Sequence, residues 1–367
     1  MSLLSADQKA YKTDPAMRVP ECVKQYTYDG TTLYEKLSMR KNSAGAAAGG
    51  QSASKARTSG LTRRMVRGLK NAVLSLYGVH GIYSKFIRNA KRFRSEEFFD
   101  IVISLSTPPS SHLLAHELIR SGHIRCNKWI QIWEDPWYSD AYGFNNKKKI
   151  YDEENRLLSF AESICYVSPI TLEYQKKLFP VAADKMFWQP LPAYYEGGDH
   201  EQNHSMVFGY FGDYQPAARN LAPFYAAAKE TGIQVRICGN PSSLFQATDR
   251  IRIYPRLPLD KLHPIEEEAG VLVFLCNRKG GQIPGKIYQY AATTKTILFI
   301  LDGTDEEKRI LREYFEPFQR FVFCENKEDD IVAAIGRIQR GEISDVSNEP
   351  LDNFQPAEII RRILTEC

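Results

Sequence analysis

VLVFLCNRKGGQIPGKIYQYAATTKTILFI, residues 271–300, holds two uninterrupted apolar runs on either side of a glycine-bearing loop and a helical stretch. An apolar run without polar alternation reads as a strand covered on both faces, and strand–helix–strand order joins parallel strands. Loop 277–283 then lies beyond the carboxyl end of the first strand, where open α/β sheets bind their ligands.

The same rhythm extends outward from this unit. From residue 205 the sequence predicts strand SMVFGYFG, helix PAARNLAPFYAAAKETG, strand IQVRICG, helix PSSLFQAT, strand RIRIYP and helix LDKLHPIEEEAG before it, and strand RFVFCEN and helix DIVAAIGRIQRG toward the end. Upstream, FFDIVISLS (98–106), KWIQIWED, SICYVS and KMFWQPL read as strands separated by helices. The polar, aperiodic AYYEGGDHEQNH (193–204) is the expected boundary between two α/β domains with parallel sheets facing a cleft. The division read from the sequence is a flexible segment at 1–60, a first domain at 61–195, a second at 205–352 and a closing helix at 353–367 that crosses back to the first domain. No convincing buried strand precedes residue 95, so the first domain reads as incomplete or degenerate.

A chain of 367 residues is long for one core, which agrees with two domains. Seven scattered cysteines, several inside apolar runs, suit small buried thiols better than disulfides or metal ligands. No run approaches the ~18 apolar residues of a membrane span, and the N-terminus lacks the apolar centre of a signal peptide. The expected location is the cytoplasm or the inner face of a membrane. Charge is unevenly spread: residues 55–94 hold eleven of the 48 Lys and Arg residues and none of the 44 acids. Within that run, 61–76 reads as a basic amphipathic helix, suited either to an anionic membrane surface or to packing on the first domain. It lacks the interleaved aromatics of a nucleic-acid module.

Loop 277–283 has the chemistry of a phosphate site. Pro284 placed in the first helical turn loses no hydrogen bond, neighbouring amides are left unpaired, and Lys286 adds a full charge. A second loop, FGYFGDYQPAARN (208–220), ends its strand with Gly209 and Gly212 and places Arg219 in a helix start near Pro216. Two such loops on one sheet point to a diphosphate pocket more strongly than either does alone, with two ordinary turns as the alternative. His112 and His116 have the four-residue spacing of zinc ligands but no third ligand nearby, so no metal is expected. Glu328-Asp329-Asp330 reads as a solvated helix start.

These residues resemble a known family. IPGKIYQYAATTKTILFI is similar to the IPSKLYEYLA-type segment of family-four retaining glycosyltransferases of the GT-B fold, which consists of two Rossmann-like domains. YFGDYQPAARNL, SLSTPPSSHLLA and WIQIWEDPW extend the resemblance over about residues 95–367. It implies that the amides of Gly281, Gln282, Ile283, Pro284's neighbours and Gly285, with Gly212, Lys286 and Arg219, hold the diphosphate of a nucleotide sugar. It places Gln289 where the family has a ribose-binding glutamate; glutamine keeps an acceptor oxygen and loses the charge. Glu134 and Asp135 end a strand facing the cleft, flanked by Trp133 and Trp137 as an apolar platform for a sugar; they read either as a carboxylate pair that takes a proton from an acceptor hydroxyl or orients the sugar, or, at Asp135, as an Asx-Pro turn before a helix. No cofactor beyond the donor substrate is implied, and the acceptor is a glycan or a lipid-linked glycan. A nucleotide-sugar-binding partner subunit without transferase activity stays open beside the enzyme. An epimerase of the same fold lacks a convincing acid/base set in the second domain.

Overall fold

Buried apolar strands alternate with amphipathic helices through most of the chain. This computed structural model describes residues 1–7, 19–32, 35–36, 78–140, 147–193 and 205–366. The basic stretch 61–76 and the linker read at 40–60 lie outside them. By contacts the chain forms two units: Met1–Trp133 with Phe144–Ile164, and Glu134–Gly143 with Cys165–Cys367.

The first unit begins with two strands that the sequence reading missed. β1 (Ser2–Asp7) and β2 (Lys24–Asp29) form a parallel pair in register from Ser2↔Lys24 to Asp7↔Asp29. Their residues are mostly exposed or half-buried, so no apolar run announces them. After α1 (Ser84–Ala90) come β3 (Phe98–Ser106), α2 (Ser110–Arg120), β4 (Arg125–Trp133), α3 (Lys147–Phe160) and β5 (Ser163–Tyr166), where the chain passes into the second unit with α4 (Pro169–Leu178) and β6 (Met186–Trp188). The strands form a four-stranded sheet in the order β3-β4-β5-β6, with β3 and β4 parallel. The division between the units runs through β5 rather than through 193–204, because the chain after β5 packs with the second unit: Ala193 N–H donates to the Phe354 carbonyl at 2.8 Å.

His112 is a core residue. It is fully buried on α2, its Nδ1 lies 2.7 Å from Ser104 Oγ, and Trp129 Nε1 donates to that hydroxyl at 2.9 Å. His116 stacks on Phe160 with ring centroids 3.7 Å apart. Among the described residues no three His, Cys, Asp or Glu side chains converge as a metal site.

In the second unit, β7 (Val207–Phe211), β8 (Gln234–Cys238), β9 (Ile251–Tyr254), β10 (Val271–Leu275), β11 (Thr296–Leu301) and β12 (Val322–Glu325) build one sheet in the order β12-β11-β10-β7-β8-β9. Every neighbouring pair is parallel. The intervening helices are α5 (Ala222–Thr231), α6 (Leu259–Glu268), α7 (Lys286–Ala291), α8 (Asp305–Phe315) and α9 (Glu328–Gln339), with α10 (Pro356–Thr365) last. All of β10 is buried, and Phe299 of β11 packs among Phe274, Phe315, Phe321 and Phe323. Thr304 and Glu307 form a reciprocal capping box that starts α8. Fully buried Arg320 donates from Nη2 to the carbonyls of Thr293 (2.6 Å) and Lys295 (2.7 Å), closing the turn between α7 and β11.

One expected helix does not form and two start later than expected. PSSLFQAT forms turns rather than a helix. The helix read from Pro216 begins at Ala222, where Pro223 occupies the first turn, so Arg219 lies in the preceding loop. α7 starts at Lys286, so Pro284 precedes Gly285 at the N-cap instead of lying inside the helix. The closing helix α10 buries Ile359 and Ile363 and is counted in the second unit, and Gln189 Nε2, after β6, donates to Glu366 Oε1 at its end at 2.8 Å. No helix among the described residues is long and apolar enough to cross a membrane.

Two stability predictions follow from these cores. Phe299→Ala removes a fully buried ring and is expected to cost about 3–5 kcal/mol in urea unfolding. Burial pushes the His112 pKa down to about 3 from its ordinary 6.5. The unfolded chain therefore takes up this proton before the folded one, so its contribution is fully present above pH 6.5 and declines as pH falls toward 3. His112→Gln is expected to flatten the fall in urea midpoint between pH 7 and pH 4.5; an unchanged slope counts against this assignment.

Candidate functional site

The strand order of the second unit reverses between β7 and β10. The chain adds β8 and β9 on one side of β7, then returns to place β10, β11 and β12 on the other. The loops leaving β7 and β10 therefore run to opposite sides and leave a crevice at their carboxyl ends, the usual ligand position in such sheets.

The β7 loop begins at Gly212, whose amide donates to the Cys238 carbonyl at 3.0 Å. Close approach is required here: a Cβ on Gly239 would lie 2.0 Å from the Gly212 carbonyl oxygen. Tyr210 is buried beneath the loop, and burial pushes its pKa up to about 12, so its hydroxyl remains a neutral donor to the Asp213 carbonyl at 3.2 Å.

In the β10 loop, consecutive glycines adopt left-handed backbone, with φ of 97° at Gly280 and 72° at Gly281. A Cβ on Gly281 would also meet Ile170 Cγ2 at 2.8 Å. The Gly281 carbonyl accepts from Ser168 Oγ at 2.5 Å and from Thr171 Oγ1 at 3.1 Å. Ser168 is at the same time the N-cap of α4. The amides of Gly280, Gly281, Gln282, Ile283, Gly285 and Lys286 donate to no backbone carbonyl among the described residues. Because α7 has only six residues, these local amides, rather than a long helix dipole, supply the donors.

Arg219 joins the two loops. Its Nε donates to Asn277 Oδ1 at 2.7 Å and its Nη1 to the Asp213 carbonyl at 3.2 Å, while Asn277 Nδ2 donates to the Gln282 carbonyl at 2.9 Å. Arg278 adds a backbone bond from its amide to the Ala218 carbonyl at 2.8 Å. Asn277 had no role in the sequence reading; its position directly after an apolar strand was the available signal.

Lys286 Nζ lies 2.6 Å from Glu266 Oε1 and within 6 Å of the Phe211 and Tyr290 ring centroids. Its charge is thus shared with a carboxylate that the sequence reading did not pair with it. Gln289 is exposed on α7. Ile283 is buried, and Pro284 is half-buried beside it.

Glu134 and Asp135 are exposed immediately after β4, and Asp135 Oδ1 accepts from Gln282 Nε2. One of the two carboxylates is thereby tied to the β10 loop. The expected aromatic platform is not formed: Trp133 is fully buried, with Nε1 donating to Gln131 Oε1 at 2.9 Å, and Trp137 is also buried. The last five residues of β4, Trp129 to Trp133, are all buried, and the chain reaches the surface only at Glu134, after the strand ends.

No protein-family model and no curated protein sequence matches the chain. Solved structures do. A sucrose-phosphate synthase from Thermosynechococcus elongatus aligns with a TM-score of 0.54 at 12% identity, over 79% of this chain and 78% of that one. A glycosyltransferase from Rickettsia africae ESF-5 aligns with a TM-score of 0.52 at 9% identity, over 93% of this chain and 89% of that one. At these identities the likeness is one of fold, and the fold is the GT-B arrangement of two Rossmann-like domains with parallel sheets.

Proposed function

We propose that this protein is a glycosyltransferase that takes a nucleotide-diphosphate sugar at the β7/β10 crevice and moves the sugar, with retention, to a glycan or lipid-linked acceptor. The observation that carries the reading is the pair of glycine loops at the strand-order reversal, held together through Arg219 and Asn277, with a run of unpaired amides between Gly280 and Lys286. The fold shared with glycosyltransferase structures supports it.

In this reading the donor's diphosphate accepts from the amides of Gly281, Gln282, Ile283 and Gly285, with Gly212 leaving room at the β7 loop. Lys286 and Arg219 neutralise charge that grows on the diphosphate as the sugar departs, the largest electrostatic task in such a transfer. Lys286 keeps two donor hydrogens beyond the one facing Glu266, which lets it serve both partners. Gln289 receives the ribose with its amide. Asp135 and Glu134 orient the sugar or the acceptor hydroxyl, and the leaving diphosphate takes the acceptor's proton. A lipid-linked acceptor brings the chain to the inner face of an anionic membrane, where the bases of 61–76 add attraction.

The second reading, a nucleotide-sugar-binding subunit without transfer activity, is favoured by one observation: neither tryptophan beside Glu134 and Asp135 is presented as a sugar platform. Donor hydrolysis distinguishes the two, since a binding subunit holds the donor without consuming it.

Calorimetric titration with UDP-, GDP-, ADP- and CDP-sugars tests the site. At least one is expected to bind, and Lys286→Ala is expected to weaken it by roughly tenfold to 100-fold with the melting temperature retained. Failure of all four donors overturns both readings. Gly281→Ala is expected to lower stability by about 1–3 kcal/mol through its left-handed backbone, and to weaken donor binding. Unchanged binding in this variant sinks the role assigned to the loop.

A further inference from the structure

Away from the crevice, the second unit contains a cavity of about 400 Å³ whose lining includes Lys176 of α4, Trp188 at the end of β6 and Gln189 after it, Tyr314 of α8, and Arg362 and Glu366 of α10 and its end. That volume falls within the range of small-ligand sites. Its side chains combine three kinds of chemistry.

The first is an aromatic surface. The Trp188 and Tyr314 rings meet edge to face with centroids 4.6 Å apart, and Trp188 is only half-buried. A half-exposed indole held by a second ring offers a rigid apolar face to the C–H groups of a flat ligand. The second is positive charge. Lys176 has no acidic partner among the described residues, and Arg362 uses Nε on Glu358 at 2.8 Å, leaving its terminal nitrogens for another acceptor. The third is a carboxylate fixed by an amide. Gln189 Nε2 donates to Glu366 Oε1 at 2.8 Å, which holds the carboxylate in place and leaves its second oxygen to accept from hydroxyls.

We propose that this cavity binds a pyranose sugar bearing an anionic substituent, a uronate carboxylate or a phosphate. The ring packs on Trp188, the anion is met by Lys176 and Arg362, and ring hydroxyls donate to Glu366. A neutral sugar leaves the two cations unused, and a free inorganic anion leaves the aromatic face uncovered. The site uses none of the donor-loop residues, so either assignment can fail while the other holds.

Saturation-transfer NMR on the full chain, titrated separately with glucuronic acid, glucose 6-phosphate, glucose, inorganic phosphate and AMP, tests the proposal. One of the two anionic sugars is expected to bind at least about tenfold more tightly than glucose, phosphate or AMP, and the better of the two identifies the substituent. Lys176→Ala, which breaks no ion pair, is expected to weaken that ligand about tenfold at unchanged melting temperature. Trp188→Leu is expected to abolish transfer to the ring C–H protons. Equal binding of glucose, phosphate alone binding as tightly, AMP binding more tightly, or indifference to Lys176→Ala would each overturn it.

Discussion

The guanidinium of Arg219 is where the second unit's two glycine loops become one structure. A sheet whose strand order reverses must send its loops apart at the reversal, and nothing in the β-ladder holds their tips together. Here the link is made by Arg219, which reaches Asn277, by Asn277, which reaches the Gln282 carbonyl, and by the Arg278 amide on the Ala218 carbonyl. Planarity and several donors suit arginine to this bridging: Nε serves Asn277 while Nη1 serves the Asp213 carbonyl. Shape at the crevice and charge at the crevice therefore depend on the same residue.

Much of the second unit was legible because its strands are buried on both faces. Runs such as 271–276 and 297–301 admit no amphipathic helix, and their order alone implies a parallel sheet. What stayed hidden depends on pairings between distant residues or on helix ends. Glu266 is twenty residues from Lys286 and joins it only after α6 and α7 fold against the sheet. The start of α5 was read from Pro216, whereas Pro223 sets it; both prolines are compatible with a helix start, and the sequence does not rank them. β1 and β2 carry too few buried apolar residues to show a period. The tryptophans flanking Glu134 and Asp135 looked like a sugar platform by type, but both are packed in the core.

Arg320 is a further residue whose role no local pattern reveals. Burial pulls its pKa down to about 10, so it is still a cation at neutral pH, and its strongest contacts are carbonyl oxygens rather than a carboxylate. It closes the turn after α7 by satisfying two backbone acceptors that would otherwise be buried without donors. The helix that carries Lys286 and Gln289 is thus anchored at its far end by a charge in the core, while the loop before it is held by Ser168, Thr171 and Asn277.

The two hydroxyls on the Gly281 carbonyl have a directional effect. A trans peptide is a rigid plane in which the carbonyl and the following N–H point opposite ways. By capturing the oxygen, Ser168 and Thr171 orient the plane between Gly281 and Gln282, and the Gln282 N–H must face away from α4. The loop's polarity is consequently aimed from behind: two small side chains on one helix decide which way an amide on another segment points.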